Sequence, residues 1–436
     1  MGPNSPDHVN HTSRLAQAAR SGLPGPERPA RPPVIRLPLY GRCRGRGATR
    51  KMCVSYDDRD LRRPGAHGVV DQPRLAAVLL AAGEGTRMRS SRPKPLHRLC
   101  GRPMVLWVLG SLSGLELSRV VVVVGHGATR MTKALAEARS PGLPLEVVDQ
   151  PVQRGTGDAL SVALTAFSDD DSELDDLVVL PGDTPLLRPA TVAALVAAHR
   201  ESSAAATLLT ARLPDPTGYG RVVRSRDGRV AGIIEEADAT DEERAIDEVG
   251  TSIYAFRRSV LAPALRRLSP DNSQGEYYLT DVIAVLHDAG YPVISMVAPD
   301  PVEASGVNDR CQLASAEAEL RARINRQWMT RGVTMLDPQH TYLDSTVELA
   351  EDVTLFPGTI LQGSTRIDTG AEIGPDAHLV DCVVGARAQV RATFAEKATI
   401  REDARVGPWT WLAPGTVVAP GSVVRPPAGG YGLEGG

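Results

Sequence analysis

The stretch "LAAGEGTRM", Leu80–Met88, followed by "RPKPLH", Arg92–His97, decides how this chain is read. The residues leading into it, Ala76-Ala77-Val78-Leu79-Leu80, form a short apolar run suited to a buried strand. A strand that breaks into a glycine-rich turn presents backbone N–H groups to phosphate. No Gly-Lys-Ser/Thr closes the turn, so it is not a Walker A loop, and it does not fit G-x-G-x-x-G. Its meaning depends on what else the chain brings to the same place.

From 73 to 310 the pattern is alternating α/β. Apolar runs at Ala76–Ala81, Val120–Val124, Leu145–Val148 and Leu177–Leu180 read as buried strands, with helical stretches such as Ala159–Phe167 and Thr191–His199 between them. Strands of this kind, alternating with helices, predict a parallel sheet covered on both faces. Ligands then belong at the carboxyl ends of the strands. Both the glycine turn and Pro181-Gly182-Asp183 fall there. Residues 311–339 read as a linker, its helix running to about 335, with Leu313, Leu320, Ile324 and Trp328 near helical spacing and Gly332 at its end.

Over 340–425 apolar residues recur at every sixth position: Val347 and Val353; Ile367, Ile373 and Leu379; Val384 and Val390; Ile400, Val406, Leu412, Val418 and Val424. A six-residue period with glycine turns predicts a hexapeptide parallel β-helix of roughly four coils. The slips in phase predict longer loops at some corners. Residues 426–436 read as a flexible glycine tail. At the other end, 1–72 is rich in Pro, Arg and Gly and reads as disordered. It is either a dispensable extension, with a second start at Met52, or an arginine-rich arm for an anionic partner.

The 436 residues suit two or three domains, and with 4% aromatics the cores rest on Val, Leu, Ile and Ala. A net charge of −3 argues against a dedicated nucleic-acid binder. The five cysteines form no C-x-x-C pair, which points away from zinc and disulfides and toward a reduced, cytoplasmic setting. No apolar run is long enough for a membrane span.

Chemistry concentrates in three places. Gly83 and Gly85 allow close backbone approach, while Arg87 and Lys94 add positive charge suited to a nucleoside triphosphate. Asp183, directly after a strand and at the same sheet edge, suits Mg²⁺. "DQPVQRGTGDA", Asp149–Ala159, offers Gln150, Gln153, Gly155 and Thr156, and a glutamine amide matches a base edge.

In order along the chain come "LAAGEGTRM…KPLH", "QRGTGDA", "PGDTPLL", "TGYGRVV", "GIIEEADAT", "NSQGEYYLTDVIAVL" and "GVNDRCQLA". With "RINRQWMTRGVTMLDPQHTYLD" they resemble bacterial N-acetylglucosamine-1-phosphate uridylyltransferases over 75–425. The resemblance implies a Rossmann-like nucleotidyltransferase domain followed by a short left-handed parallel β-helix. It implies that Leu80, Ala81, Ala82 and Gly83 line the base and ribose, that Gln150 and Gly155 read uracil, and that Thr156 and Gly182 lie close to the ligands. Arg87 and Lys94 would act on the triphosphate, Asp183 and Asn308 would hold Mg²⁺, and Gly220 and Glu235 would bind the sugar. UTP and a sugar 1-phosphate are the implied partners, with a homotrimer through the β-helix.

Three departures from the family pattern stand out. Where "E-[VI]-N-[ST]-G" is expected the chain reads "EVGTS", with Gly250 for a sugar-contacting asparagine and Ser252 for glycine. Pro181 stands where a tyrosine is common. The acetyltransferase half of the family needs an arginine in an "L-R-P-G" turn and further polar residues. Here the turn is Leu412-Ala413-Pro414-Gly415, so no acetyltransferase activity is expected.

Overall fold

The computed structural model describes residues 34–36, 74–138, 144–167 and 174–426, all within one compact unit. Ten strands among them form one sheet: Val34–Arg36 (β1), Arg74–Ala81 (β2), Leu117–Val124 (β3), Leu145–Asp149 (β4), Leu174–Pro181 (β5), Ala206–Arg212 (β6), Arg221–Arg224 (β7), Val230–Ile234 (β8), Glu248–Arg257 (β9) and Val293–Val297 (β10). Their spatial order is β1-β4-β3-β2-β5-β9-β6-β10, with the β7–β8 hairpin attached to the start of β9.

Strands β2 to β5 are mutually parallel. The expectation of a parallel sheet fails at β9, which runs antiparallel to both its neighbours, β5 and β6. Only the one-turn helix Asp241–Arg244 separates the β7–β8 hairpin from β9, too short for a crossover, and a return of that kind gives antiparallel pairing. Alternate residues of the central strands face opposite cores: Ala76, Val78, Val121, Val123, Leu177 and Val179 on one side, Ala77, Leu79, Val120, Val122, Val178 and Leu180 on the other. Helices Thr156–Leu164, Arg258–Leu265 and Asp281–Asp288 cover the first face, and Met104–Gly110, Ala128–Glu137 and Pro189–Ser202 the second. Burial on both sides is why these strands read as unbroken apolar runs.

The segment read as disordered contributes one described strand. The β-branched pair Val34-Ile35 lies in β1, antiparallel to the outer strand β4. The rest of 1–72, with Met52, Cys43 and Cys53, and the tail from 427 onward lie outside the described residues.

The linker helix spans Arg310–Thr330, a turn shorter than the reading to 335, and the chain reverses at Gly332 (φ +96°). Ala316 and Leu320 pack with Leu99, Met104 and Leu186 of the α/β part, while Ile324 and Trp328 pack on the coils that follow. Asn325, fully buried, donates Nδ2 to the carbonyls of Pro338 and Thr341 and so fixes the first corner of the coil stack.

Those coils form three parallel sheets of six, five and five strands, a parallel β-helix of five full turns and the start of a sixth. The estimate of four coils from 340 is corrected: the fifteen strands from Tyr342–Leu343 onward, three to a coil, already make five, and Thr334–Met335 begins the stack one strand earlier. The spacing of inward residues also corrects the expected corner loops. From Leu343 to Leu379 it is six, but Leu379 to Val384, Val390 to Ala395 and Ala395 to Ile400 are five. These slips are shortened corners, each turning through a left-handed residue: Asp381, Ala392 and Lys397. Only the first corner is longer, where Met335 and Leu343 flank the short turn Pro338–His340. Val347 and Val353 fill a second inward position, two residues before Leu349 and Leu355. Small residues such as Ala371, Ala377 and Ala388 take it in later coils.

Strand β9 carries a register irregularity between Gly250 and Ile253, and within it Ser252 has φ +59°. A side chain in the left-handed region is strained, whereas glycine is at ease there. Ser252→Gly is expected to stabilise the protein by about 0.5–1 kcal/mol, read as a higher midpoint in urea unfolding with an unchanged slope.

Candidate active site

The carboxyl ends of β2 and β5 lie side by side, joined where Gly182 N–H donates to the Leu80 carbonyl (2.8 Å). A Cβ at Gly182 would stand 2.9 Å from that of Ala81, so the two strand ends touch only because residue 182 has no side chain. Ala81 and Ala82 are buried, and the chain emerges at Gly83, where a Cβ would meet no described atom within 4 Å. Gly85 has φ +66°, and a Cβ there would lie 2.7 Å from that of Lys94. The turn therefore crosses directly over the lysine stem. Arg87 sits exposed in the short turn Thr86–Met88.

Lys94 draws together the far-separated parts of the site. Its Nζ lies 2.5 Å from Asp183 Oδ2 and donates to Asn308 Oδ1 (2.8 Å). Both acceptors are held by backbone. The Asp183 carbonyl accepts from Val307 N–H (2.9 Å), and Asn308 N–H donates to Gln312 Oε1 (2.7 Å) at the start of the linker helix. One carboxylate and one amide oxygen thus converge on one cation. Among the described residues no group of three or more His, Cys, Asp or Glu could hold a metal. A two-donor seat fits Mg²⁺, which keeps several waters and borrows phosphate oxygens.

Sequence reasoning missed Arg310. Its Nε donates to the Met88 carbonyl (3.1 Å) and its Nη1 lies 3.4 Å from His97 Nδ1, tying the helix start to the glycine turn. Burial, and then the Arg310 charge, hold the His97 imidazole below its ordinary range. The signal was an arginine in the first turn of a helix, where the macrodipole disfavours a cation unless something else binds it.

Gln150 is 2% exposed, and its Nε2 donates to Asp158 Oδ2 (2.8 Å). Gly155 has φ +108°, and a Cβ there would be 2.5 Å from the Tyr277 carbonyl. Thr156 Oγ1 accepts from Leu279 N–H (3.0 Å) and Tyr277 N–H donates to the Arg154 carbonyl (2.8 Å). Segment 154–157 is thereby strapped to 277–279, which gives "EYYL" a structural role.

On the far side, the β7–β8 hairpin brings Gly220 to Glu235, and a Cβ at Gly220 would stand 3.4 Å from Glu235 Oε2. Glu235 Oε1 accepts from Thr280 Oγ1 (3.0 Å), another partner that sequence reasoning missed. Burial pushes the Glu235 carboxyl up; the Thr280 hydroxyl opposes the shift, and Asp281 and Asp238 add to it. The hydroxyls of Tyr254 and Tyr278 are buried and make no hydrogen bond of ordinary geometry among the described residues. Gly250 donates its N–H to the Gly220 carbonyl (2.9 Å), and a Cβ on it would be 3.1 Å from Ile233 Cδ1. The wall at 250 is therefore apolar.

The site residues thus fall into three groups: the Lys94 cluster beside the glycine turn, the Gln150–Thr156 strap, and the Gly220–Glu235 pair. Arg87 stands outside the Lys94 cluster. A concavity of about 790 Å³ lies at the opposite end of β5, lined by Asp176, His199 and Arg200. Its charges serve the fold, since Asp176 lies 3.5 Å from His199 Nε2 and 3.2 Å from Arg200 Nε.

The strand-end site on a doubly covered sheet belongs to a nucleotidyltransferase domain, and the family model of the MobA-like NTP transferase domain matches residues 77–284. The bifunctional protein GlmU of Thermobifida fusca is 48% identical over 324 residues, 74% of this chain and 66% of that protein. That of Mycolicibacterium vanbaalenii is 47% identical over 74% of this chain and 65% of its own length. That of Desulfitobacterium hafniense is 44% identical over 75% of this chain and 70% of its own. The chain belongs to the GlmU family. It spans about two thirds of the length of these relatives, slightly less for the first two. No helix among the described residues is long and apolar enough to cross a membrane.

Because its carboxyl is raised in the folded chain, Glu235 lowers folding stability above the ordinary glutamate value of 4.5, and that cost is absent below it. Glu235→Gln is expected to raise the urea midpoint at pH 7.5. The gain over the parent should shrink to nothing as pH falls below that value.

Proposed function

We propose that the protein transfers a uridylyl group from UTP to N-acetylglucosamine 1-phosphate, giving UDP-N-acetylglucosamine and pyrophosphate. The observation that carries the reading is the convergence of Lys94, Asp183 and Asn308 beside the glycine turn. A phosphate oxygen of the sugar 1-phosphate attacks the α-phosphorus of UTP. The bond from that phosphorus to the bridging oxygen breaks, and pyrophosphate leaves with the electron pair. No covalent enzyme intermediate is required, so catalysis is positioning plus neutralisation of charge.

In this reading Leu80–Gly83 bind the nucleoside. Gln150, whose N–H is taken by Asp158, offers its Oε1 to the N–H of uracil beside Gly155. Thr156 and Gly182 close the nucleotide pocket, and Arg87 and Lys94 meet the phosphates. Gly220 and Glu235 hold sugar hydroxyls. Asp183 and Asn308 would hold Mg²⁺, which supplies charge neutralisation on the phosphates when bound. A cytoplasmic setting and a homotrimer through the β-helix belong to the same reading. Acetyl transfer is not assigned, because Ala413 stands where the family's turn has arginine.

A second reading is favoured by one observation. Gly250 with Ile233 behind it replaces an amide by an apolar wall, which suits a different sugar 1-phosphate. One experiment separates the two: pyrophosphate release from UTP and Mg²⁺ with a panel of sugar 1-phosphates. Release with N-acetylglucosamine 1-phosphate is expected, reduced at least about 100-fold by Asp183→Ala. Release only with another sugar selects the second reading. No release with any sugar or nucleotide overturns both and leaves a non-catalytic relative that binds nucleotide sugars.

A further inference from the structure

We propose that Lys94 is a built-in counter-ion: in the nucleotide-free protein its ammonium occupies the seat that Asp183 and Asn308 provide for a divalent cation, and it leaves that seat for the triphosphate. The inference rests on the reading above and adds a regulation of the same site.

The geometry shows one seat with one occupant. Lys94 Nζ touches both donor oxygens, at 2.5 Å and 2.8 Å, which is the convergence a two-donor metal seat needs. The lysine and aspartate side chains are 14% and 23% exposed, so water reaches the pair only in part. The backbone that carries the donors is fixed. Asp183 is anchored through its carbonyl to Val307, and Asn308 through its N–H to Gln312. The lysine is the movable member, a point charge on a four-carbon stem. Its stem passes under Gly85 from Cβ to Cδ, which leaves Cε and the ammonium beyond the turn to move. An ammonium held at these two oxygens occupies their lone pairs and repels an incoming divalent ion twice as strongly as a single charge, so the two compete for the seat.

Three consequences follow. Without nucleotide, Lys94 keeps divalent-cation affinity low and the two donors satisfied. With nucleotide, Lys94 gains phosphate oxygens as acceptors and frees the seat. Cation and triphosphate therefore bind with positive coupling, and each must raise the affinity for the other by the same factor.

The test uses the full chain without nucleotide and Mn²⁺ as the probe, free Mn²⁺ being read by its electron paramagnetic resonance signal. The parent protein is expected to bind weakly. Lys94→Gln is expected to bind about tenfold more tightly, since a competing ion pair has been removed. Lys94→Arg, which keeps the charge, stays near the parent. Arg87→Gln removes a positive charge outside the cluster and should change affinity less than about twofold. Adding Asp183→Asn to Lys94→Gln abolishes the gain and so locates it. Lys94→Met repeats the measurement should Lys94→Gln fold poorly, with circular dichroism checking each variant.

Equal Mn²⁺ affinity in the parent and Lys94→Gln overturns the proposal, as does an equal gain in Arg87→Gln, which would reduce the effect to net charge. Pyrophosphate release by the parent reports separately on the catalytic reading. Transfer with no change in Mn²⁺ affinity removes the counter-ion role and leaves the transferase. A tightened Mn²⁺ site in a chain that transfers nothing keeps the counter-ion role and removes the transferase.

Discussion

The contact on which the rest of the structure depends is the ammonium of Lys94 between Asp183 and Asn308. It joins the turn after β2, the end of β5 and the residue that precedes the linker helix. Each of these is built by local rules that know nothing of the others: an apolar strand ending in glycines, an apolar strand ending in Pro-Gly-Asp, and a helix capped by Asp309. Only long-range packing brings them within one hydrogen-bonded cluster. Arg310 reinforces the arrangement by clamping the Met88 carbonyl from the helix side. The glycine turn is therefore held at two points by the segment from 308 to 310, and its conformation is coupled to where that helix starts.

The helix start is in turn set by the coil stack. Asn325 is locked to the first corner through two carbonyls, and Ser345 N–H donates to the Cys100 carbonyl (2.9 Å). At Gly101 a Cβ would fall 2.4 Å from Asp344 Cγ, so a coil corner presses directly on the turn between Leu99 and Arg102. A parallel β-helix stacks its coils by backbone pairing over its whole length and is a stiff base for such contacts. The described β-helix thus acts as a mount that holds the linker helix, and through it Asn308 and Arg310, against the α/β sheet. This explains how a repeat domain with none of the proposed transfer residues bears on the geometry of the transfer site.

What was legible in the sequence, and what was not, follows from the range of the interactions. The strands of the sheet core were readable because burial on both faces leaves an unbroken apolar run, and the β-helix because its inward positions repeat. The antiparallel insertion of β9 was not readable: nothing in "EVGTSIYAF" marks a direction, which depends on the preceding hairpin. The shortened corners were hidden because Asp381, Ala392 and Lys397 turn the chain where glycine would have marked it. Asp183 could be set at the same sheet edge as the glycine turn, and the resemblance paired it with Asn308, but the contact of Lys94 with both could not be read. The partners that hold the site, Asp158 for Gln150, Thr280 for Glu235 and Arg310 for Met88, lie elsewhere in the chain or look like ordinary surface residues in the sequence.

The Lys94 cluster and the Gly220–Glu235 pair rest on different supports. The Lys94 cluster is built from the ends of β2 and β5 and the start of the linker helix, and its members are cross-linked by hydrogen bonds between segments far apart in the chain. The Gly220–Glu235 pair is built from the β7–β8 hairpin and the irregular start of β9, with Thr280 bracing Glu235. The departures at Gly250 and Ser252 both fall in the second support, within one bulge. Loss of the amide at 250 leaves Gly250 bonded to Gly220 through backbone alone, and Ile233 fills the wall. None of these residues touches Lys94, Asp183 or Asn308. Change around Gly220 and Glu235 therefore leaves the charge cluster undisturbed, because the strain at Ser252 is absorbed in a bulge that the Lys94 cluster does not share.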